Sequence, residues 1–455
     1  MLQNIAPSCI LSKNVTPLCT WMRFRKKANK WVTEPKVHAL QHMDMFYARF
    51  FPGLWPSVRL GLLSLPKYVA LLNNFAEVES SETNLTSLGC VDLLRSSENI
   101  ISEPIMHIDP VPTKKLESDL LQSDPYYMSA EVLEPGEEAR LIDPEFNIAQ
   151  GNLSYFMPAT KVKGMDNYKG EAAYFQSYTS IDPALPVVAD PVMKLQALPM
   201  LRIYTHVRSD VRRFPEPKRD KSSFFNYYLL DGASILPVLA LEIQPGDVVL
   251  DLCSAPGGKA LVMLQSLYPK TVVCNEHSQA RIRRLKNVMD SYIPDLKSLA
   301  GALIIQQSDG MLLKEPGGYD KVLVDVPCTN DREALFENDN NLYHPTRTRK
   351  RVELPILQTA LLLSALKSVK AGGSVVYSTC TLSPAQNEGV VYAALQEVWS
   401  TTSMEFKIRD LTHAFEPLAW NFRLAPSAHG WGLQVLPWLP SNFGPMFFSR
   451  IDRVR

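Results

Sequence analysis

The spacing of apolar and polar residues changes character three times along this chain. Residues 1–33 sustain no periodicity. Between 34 and 76, short apolar runs follow prolines, and this predicts two helices. Pro56 opens one over 57–63, and Ser64, two residues ahead of Pro66, stands as the cap of a second over 67–75. From 77 to 195 the apolar runs are brief and never alternate or repeat at helical spacing. Five Asp-Pro pairs, from Asp109-Pro110 to Asp190-Pro191, punctuate them, so this stretch reads as an acidic, largely irregular insertion. Beyond 195 the pattern sharpens. An apolar run predicts a long helix over 227–241, kinked at Pro237. Strands are then predicted over 248–252, 271–274, 302–305, 321–326 and 374–378, with helices over 259–267, 279–292 and 352–369. Alternation of this kind implies an α/β domain over 196–455, a mostly parallel sheet with helices on both faces. The uncharged stretch 425–449 holds four prolines and three glycines and reads as strands and turns. No apolar run approaches the length of a bilayer span.

Charge changes how those segments are read. The chain has 455 residues and a formal net charge of zero, from 47 Lys+Arg and 47 Asp+Glu. That neutrality is a sum of unlike parts: +8 over residues 1–75, −13 over 76–190 and +5 over the remainder. The first 33 residues carry Lys13, Arg23, Arg25, Lys26, Lys27 and Lys30 and no acid before Glu34, the signature of a mitochondrial presequence and hence of the matrix. Two later runs are basic. One includes Arg212, Arg213, Lys218 and Arg219, and the other is His344 to Arg351; both suit RNA phosphates. The seven cysteines are scattered and form no C-x-x-C pair, so neither a zinc site nor a disulfide framework is expected.

Candidate chemistry gathers where an open α/β sheet places ligands, just beyond the carboxyl ends of its strands. The first such turn runs from Asp251 to Lys259 and contains Gly257 and Gly258, which allow close backbone approach. It is neither a P-loop nor a G-x-G-x-x-G turn, so phosphate binding is not expected. Glu276 ends the next strand, with Arg281 nearby, and Asp309-Gly310 ends the third. Acids at three successive strand ends, without a phosphate loop, point to an adenosine cofactor lacking phosphates, S-adenosylmethionine. The fourth strand leads from Asp325 to Cys328 and the fifth to Cys380. Either thiol could serve as a nucleophile, and the residues alone do not choose between them.

These motifs carry a resemblance. Asp251-Leu-Cys-Ser-Ala-Pro-Gly-Gly-Lys259, Asp325-Val-Pro-Cys328-Thr and Ser378-Thr-Cys380-Thr-Leu-Ser, in this order, resemble the Nop/Sun (NSUN) family of RNA cytosine-5 methyltransferases. Around Trp31, Trp55 and Tyr68 the N-terminal part is similar to the family's mitochondrial branch, which modifies small-subunit ribosomal RNA. The resemblance implies a Rossmann-like methyltransferase sheet. It implies Cys380 as the nucleophile that adds to the cytosine ring and Cys328 as the group that assists release. It implies a methyl-donor site at Gly257, Gly258, Lys259, Glu276, Arg281, Asp309, Gly310 and Asp325. Glu276 stands where the family pattern has the shorter aspartate. The same resemblance implies mitochondrial ribosomal subunits as the setting and a helical-repeat partner of the mTERF family. A non-catalytic assembly role, and the same chemistry on mitochondrial tRNA, are the rival expectations.

Overall fold

A computed structural model describes residues 34–96, 105–106, 185–188, 194–196, 198–294, 301–313 and 316–455. The expected presequence, and most of the acidic stretch, lie outside the described residues. Five parallel strands carry the site: β6 (Val248–Asp251), β7 (Thr271–Asn275), β8 (Leu303–Gln306), β9 (Tyr319–Asp325) and β10 (Val369–Thr379). Their order is β10-β9-β6-β7-β8. Beyond β10 the sheet continues antiparallel through β14 (Met446–Arg453), β13 (Leu433–Val435) and β12 (Leu424–Pro426), which realises the strands and turns expected over 425–449. On the far side of β14 lies β11 (Phe406–Arg409), which pairs with the short β3 (Val187–Val188).

Alternation along the central strands divides the interior in two. Val322 and Val324 of β9 and Val375 and Tyr377 of β10 face one apolar cluster, with the Thr348–Ser368 and Glu388–Thr401 helices. Leu323 and Val376 face the other, with the Gly258–Gln265 and Gln279–Tyr292 helices. Both faces are therefore covered, as a parallel sheet requires.

The N-terminal region packs onto this body. Its first helix, Pro35–Phe50, starts on a proline and buries Ala39, Met43, Phe46 and Tyr47 along one face. A second helix, Trp55–Leu63, is held to the first through Asp44, which accepts from Trp55 Nε1 at 2.9 Å and from Arg59 Nε at 2.7 Å. Arg332, just after the Cys328 loop, ties this region to the C-terminal strands. Its buried guanidinium donates to the carbonyls of Gly61 (2.8 Å), Ser64 (2.9 Å) and Gly444 (2.6 Å) and to Asn442 Oδ1 (3.0 Å). Those acceptors offset the cost of burying it.

Two predicted helices are strands instead. The segment 67–75 forms β1 (Tyr68–Leu72), and the first part of 227–241 forms β5 (Tyr227–Asp231). They pair antiparallel with each other and, with β4 (Ile203–Thr205) and β2 (Val91–Asp92), make a second sheet in the order β2-β4-β1-β5. The reason is burial on both faces. Val69 and Leu71 enter one cluster while Ala70 and Leu72 enter another, so an apolar run of five has period two without showing a polar alternation. After β5, Asp231 accepts from the Ala233 amide at 2.8 Å and turns the chain into a short helix, Leu236–Ala240. Pro237 sits in its first turn and kinks nothing. The acidic stretch begins less irregularly than its composition implies, with a helix over Val78–Ser87 that leads into β2.

Candidate active site

The carboxyl ends of β6 to β10 bring the predicted residues to one edge of the sheet. In the parallel pairing of β9 and β10, Asp325 stands opposite Ser378, so the turns carrying Cys328 and Cys380 leave the sheet side by side. Their sulfurs are in contact at 2.8 Å, both thiols free. Cys328 Sγ also accepts from the amides of Cys380 (3.3 Å) and Asn330 (3.4 Å). The Cys328 sulfur, burial and the nearby Asp325 charge together push the Cys380 thiol well above its ordinary range, while Lys259 opposes them. Cys380 therefore rests as a neutral thiol.

Asp325 is fully engaged. Lys259 Nζ donates to Oδ2 at 2.8 Å, and Ser378 Oγ donates to Oδ1 at 2.8 Å. Burial works against the Lys259 ammonium, but the Asp325 carboxylate outweighs it and lifts its pKa. The glycine-rich turn thus delivers its lysine to the cysteine side of the site.

The other end of that turn is differently built. Asp251 is buried, and neither of its carboxylate oxygens completes a hydrogen bond; the same holds for Ser254 Oγ and Glu276 Oε2. Burial first, and then the Asp325 charge, push Asp251 up to about 7, with the Lys259 charge easing it. Glu276 accepts the Ser278 amide through Oε1 at 2.9 Å. Its Oε2 stands 3.0 Å from Arg281 Nη1, in a charge contact that lacks hydrogen-bond alignment. Arg281 also donates to the Ala255 carbonyl at 2.5 Å and so braces the turn. Asp309 accepts the Met311 amide at 3.0 Å.

These acceptors suit S-adenosylmethionine, whose ribose hydroxyls, ammonium and adenine amino group are all donors. Asp251, Ser254, Glu276 and Asp309 would hold it. Of the glycines, Gly257 adopts φ +113°, a conformation that itself calls for glycine, and a Cβ there would also press on Leu285 Cδ1 at 2.7 Å. Gly258 abuts Tyr228, and Gly310 abuts Leu361 and Leu252. Their lack of side chains serves this packing, which leaves backbone N–H groups as the means of any cofactor contact.

Several basic residues expected to track RNA are engaged within the protein. Arg212 pairs with Asp210 at 2.6 Å, Arg349 with Glu353 at 2.7 Å, and Arg347 donates to the Asn340 carbonyl at 2.8 Å. Arg219 lies over Phe225 and Arg351 over Tyr343. Exposed pairs of this type are worth little and yield readily to a phosphate.

Sequence reasoning missed a buried polar cluster behind the cysteines. Each cysteine is followed by a threonine, and both hydroxyls, Thr329 Oγ1 and Thr381 Oγ1, lie 2.9 Å from Asp331 Oδ1. Asp331 Oδ2 accepts the Leu382 amide at 2.8 Å. Gln386 and Gln358 extend the cluster to Pro327, and the Tyr47 hydroxyl joins Thr381 at 3.2 Å. The available signal was the repeat of Cys-Thr in both motifs, with an acid at Asp331.

A family model described as 16S rRNA methyltransferase RsmB/F matches residues 238–432. The 5-cytosine rRNA methyltransferase NSUN4 of Xenopus tropicalis is 35% identical over 452 residues, 98% of each chain. A mitochondrial tRNA (cytosine(34)-C(5))-methyltransferase of Mus musculus is 38% identical over 243 residues, 53% of this chain and 68% of its own. Among solved structures, NSun6 from Pyrococcus horikoshii with SFG aligns at 23% identity with a TM-score of 0.40, over 53% of this chain and 57% of that one.

Proposed function

The chain belongs to the NSUN family of RNA cytosine-5 methyltransferases, and from that premise we propose that it methylates mitochondrial small-subunit ribosomal RNA through a covalent cysteine adduct. S-adenosylmethionine, when bound, supplies the sulfonium methyl group. Cytosine C5 is too weak a nucleophile to take that methyl unaided. The Cys380 sulfur adds to C6, which makes C5 enamine-like, and a base must then remove the C5 proton so that the thiolate can leave. Its contact with Cys380 supports Cys328 as the group that assists that release. Because Cys380 rests neutral, its proton must pass to the N3 nitrogen of the entering cytosine as sulfur bonds C6. Lys259, held on Asp325, supplies the positive charge that favours the thiolate. The target nucleotide must be unstacked to reach thiols in these turns.

The observation that carries this reading is the meeting of the two cysteines beside the Lys259–Asp325 pair. Ribosomal RNA is favoured over tRNA as substrate because similarity to the rRNA enzyme runs over the whole chain, while that to the tRNA enzyme spans about half of it. The mitochondrial setting is supported by the basic, acid-free residues 1–33 and by the mitochondrial tRNA enzyme among the relatives. Action in the matrix, a role in ribosome assembly, and a helical-repeat mTERF-family partner belong to the same proposal. The modest +5 of residues 191–455 favours a partner that strengthens the hold on RNA. Bisulfite sequencing of mitochondrial RNA with and without the protein tests the substrate. One protected cytosine in small-subunit ribosomal RNA, lost without the protein, is expected, and loss confined to tRNA would overturn that choice. Rescue of ribosome assembly by Cys380→Ala would favour the scaffold role instead.

A further inference from the structure

The two cysteine turns are not joined covalently, yet the proposed chemistry needs both sulfurs at fixed positions around one base. We propose that Asp331 is a positioning residue that latches the Cys328-Thr329 and Cys380-Thr381 turns to each other. This rests on the reading that both cysteines act on the base.

The proton count in the cluster supports a latch rather than loose filling. Each threonine hydroxyl has one proton and lies 2.9 Å from Asp331 Oδ1. The two hydroxyl oxygens are themselves 2.9 Å apart, so Thr329 shares its proton between Asp331 and Thr381 while Thr381 gives its own to Asp331. Their oxygens then have only acceptor capacity left. Thr329 Oγ1 receives Gln386 Nε2 at 3.1 Å, and Thr381 Oγ1 receives the Ser383 amide at 3.1 Å. The carboxylate takes the Leu382 amide on Oδ2, while the Asp331 amide donates to the Cys380 carbonyl at 3.3 Å. Gln386 Oε1 accepts the Thr329 amide at 3.1 Å and Gln358 Nε2 at 3.2 Å, and the same Gln358 nitrogen donates to the Pro327 carbonyl at 2.8 Å. When the aspartate is ionised, both of its oxygens and both threonine hydroxyls are engaged, and within the cluster Gln358 Oε1 is the acceptor left without a hydrogen bond. Asparagine could not replace it, because its NH₂ or its single oxygen would meet a surplus of donors. A fully buried carboxylate is costly, and apolar packing would hold two turns together at least as well. What the polar cluster adds is direction: hydrogen bonds fix where each Cys-Thr unit sits, and displacement of a reacting group by about 1 Å costs on the order of 100-fold in rate.

The test uses the full chain, with steady-state methyl transfer to a transcript of mitochondrial small-subunit ribosomal RNA. S-adenosylhomocysteine binding by calorimetry reports an intact fold. T381V, which removes one hydroxyl at nearly constant shape, should lower kcat by about 10- to 100-fold. Its KM for S-adenosylmethionine and its S-adenosylhomocysteine affinity should stay within about threefold. T381S should recover most of the rate, and T329V should repeat the T381V pattern. D331N should show the larger loss; if it does not fold, the threonine variants decide. T381V and T329V with unchanged kcat would overturn the latch, as would loss of S-adenosylhomocysteine affinity in step with activity. C380A run in parallel separates the two claims. An active C380A sinks the cysteine reading, whereas an inactive C380A beside fully active threonine variants sinks only the latch.

Discussion

The two halves of the site treat buried carboxylates in opposite ways. At the ends of β9 and β10, Asp325 and Asp331 have every carboxylate oxygen engaged by a hydroxyl, an amide or an ammonium of the protein. At the ends of β6 and β7, Asp251 and Glu276 keep buried oxygens without hydrogen-bond partners, and Ser254 Oγ shares that condition. Buried polar atoms left unpaired cost free energy in a ligand-free protein. The first half is thus preorganised for reaction, while the second is complete only when a ligand rich in donors is bound.

That contrast can be broken at several points. The largest effect is expected on the reactive side, where Cys380→Ala should reduce 5-methylcytosine formation below detection in a methyl-incorporation assay. Cys328→Ala should also stop turnover but accumulate protein joined to RNA, visible on a denaturing gel. On the cofactor side, Asp251→Asn should weaken S-adenosylhomocysteine binding by roughly 10-fold, the loss of about one charge-assisted hydrogen bond, read by calorimetry.

The same residue gives a pH signature. Its folded pKa of about 7 lies above the ordinary carboxylate value, so between pH 4 and 7 the folded state holds a proton that the unfolded state has released. The stability of the ligand-free protein should therefore fall as pH rises through that window. Asp251→Asn should flatten the slope and raise Tm at pH 7.5, as measured by calorimetric melting. A retained slope in the variant would place the proton elsewhere.

Gly257→Ala should lower stability by about 1–3 kcal/mol, because it forces a Cβ into Leu285 at positive φ, and thermal melting would show it. The smallest effect belongs to the surface. Lys350→Ala should weaken RNA binding modestly and reduce the slope of log affinity against log salt by about 1, with methyl transfer at saturating RNA unchanged.

Much of the cofactor half was legible because its signals are local. A strand, a glycine-rich turn and an acid at the next strand end stand in sequence order, and the Gln279–Tyr292 helix has the predicted bounds because its polar face is unmistakable. The cysteine half was legible as two motifs, but not as one cluster. Asp331, Thr329, Thr381, Gln386 and Tyr47 come from distant parts of the chain, and buried polar residues have no periodicity to mark them. The strand at Tyr68–Leu72 was misread for the converse reason: with both faces buried, its alternation was hidden within an all-apolar run. Glycine was legible in place but not in purpose, since Gly257 is required by its own positive φ at the start of the helix.

The assignment of Cys380 as the attacking sulfur is the claim on which the rest depends. Cys328→Ala protein, incubated with the ribosomal RNA transcript and S-adenosylmethionine, digested and analysed by peptide mass spectrometry, tests it directly. The account predicts a methylated cytidine adduct on the peptide containing Cys380 and none on any other cysteine. An adduct on a different residue, or one that forms equally in protein lacking Cys380, would contradict it.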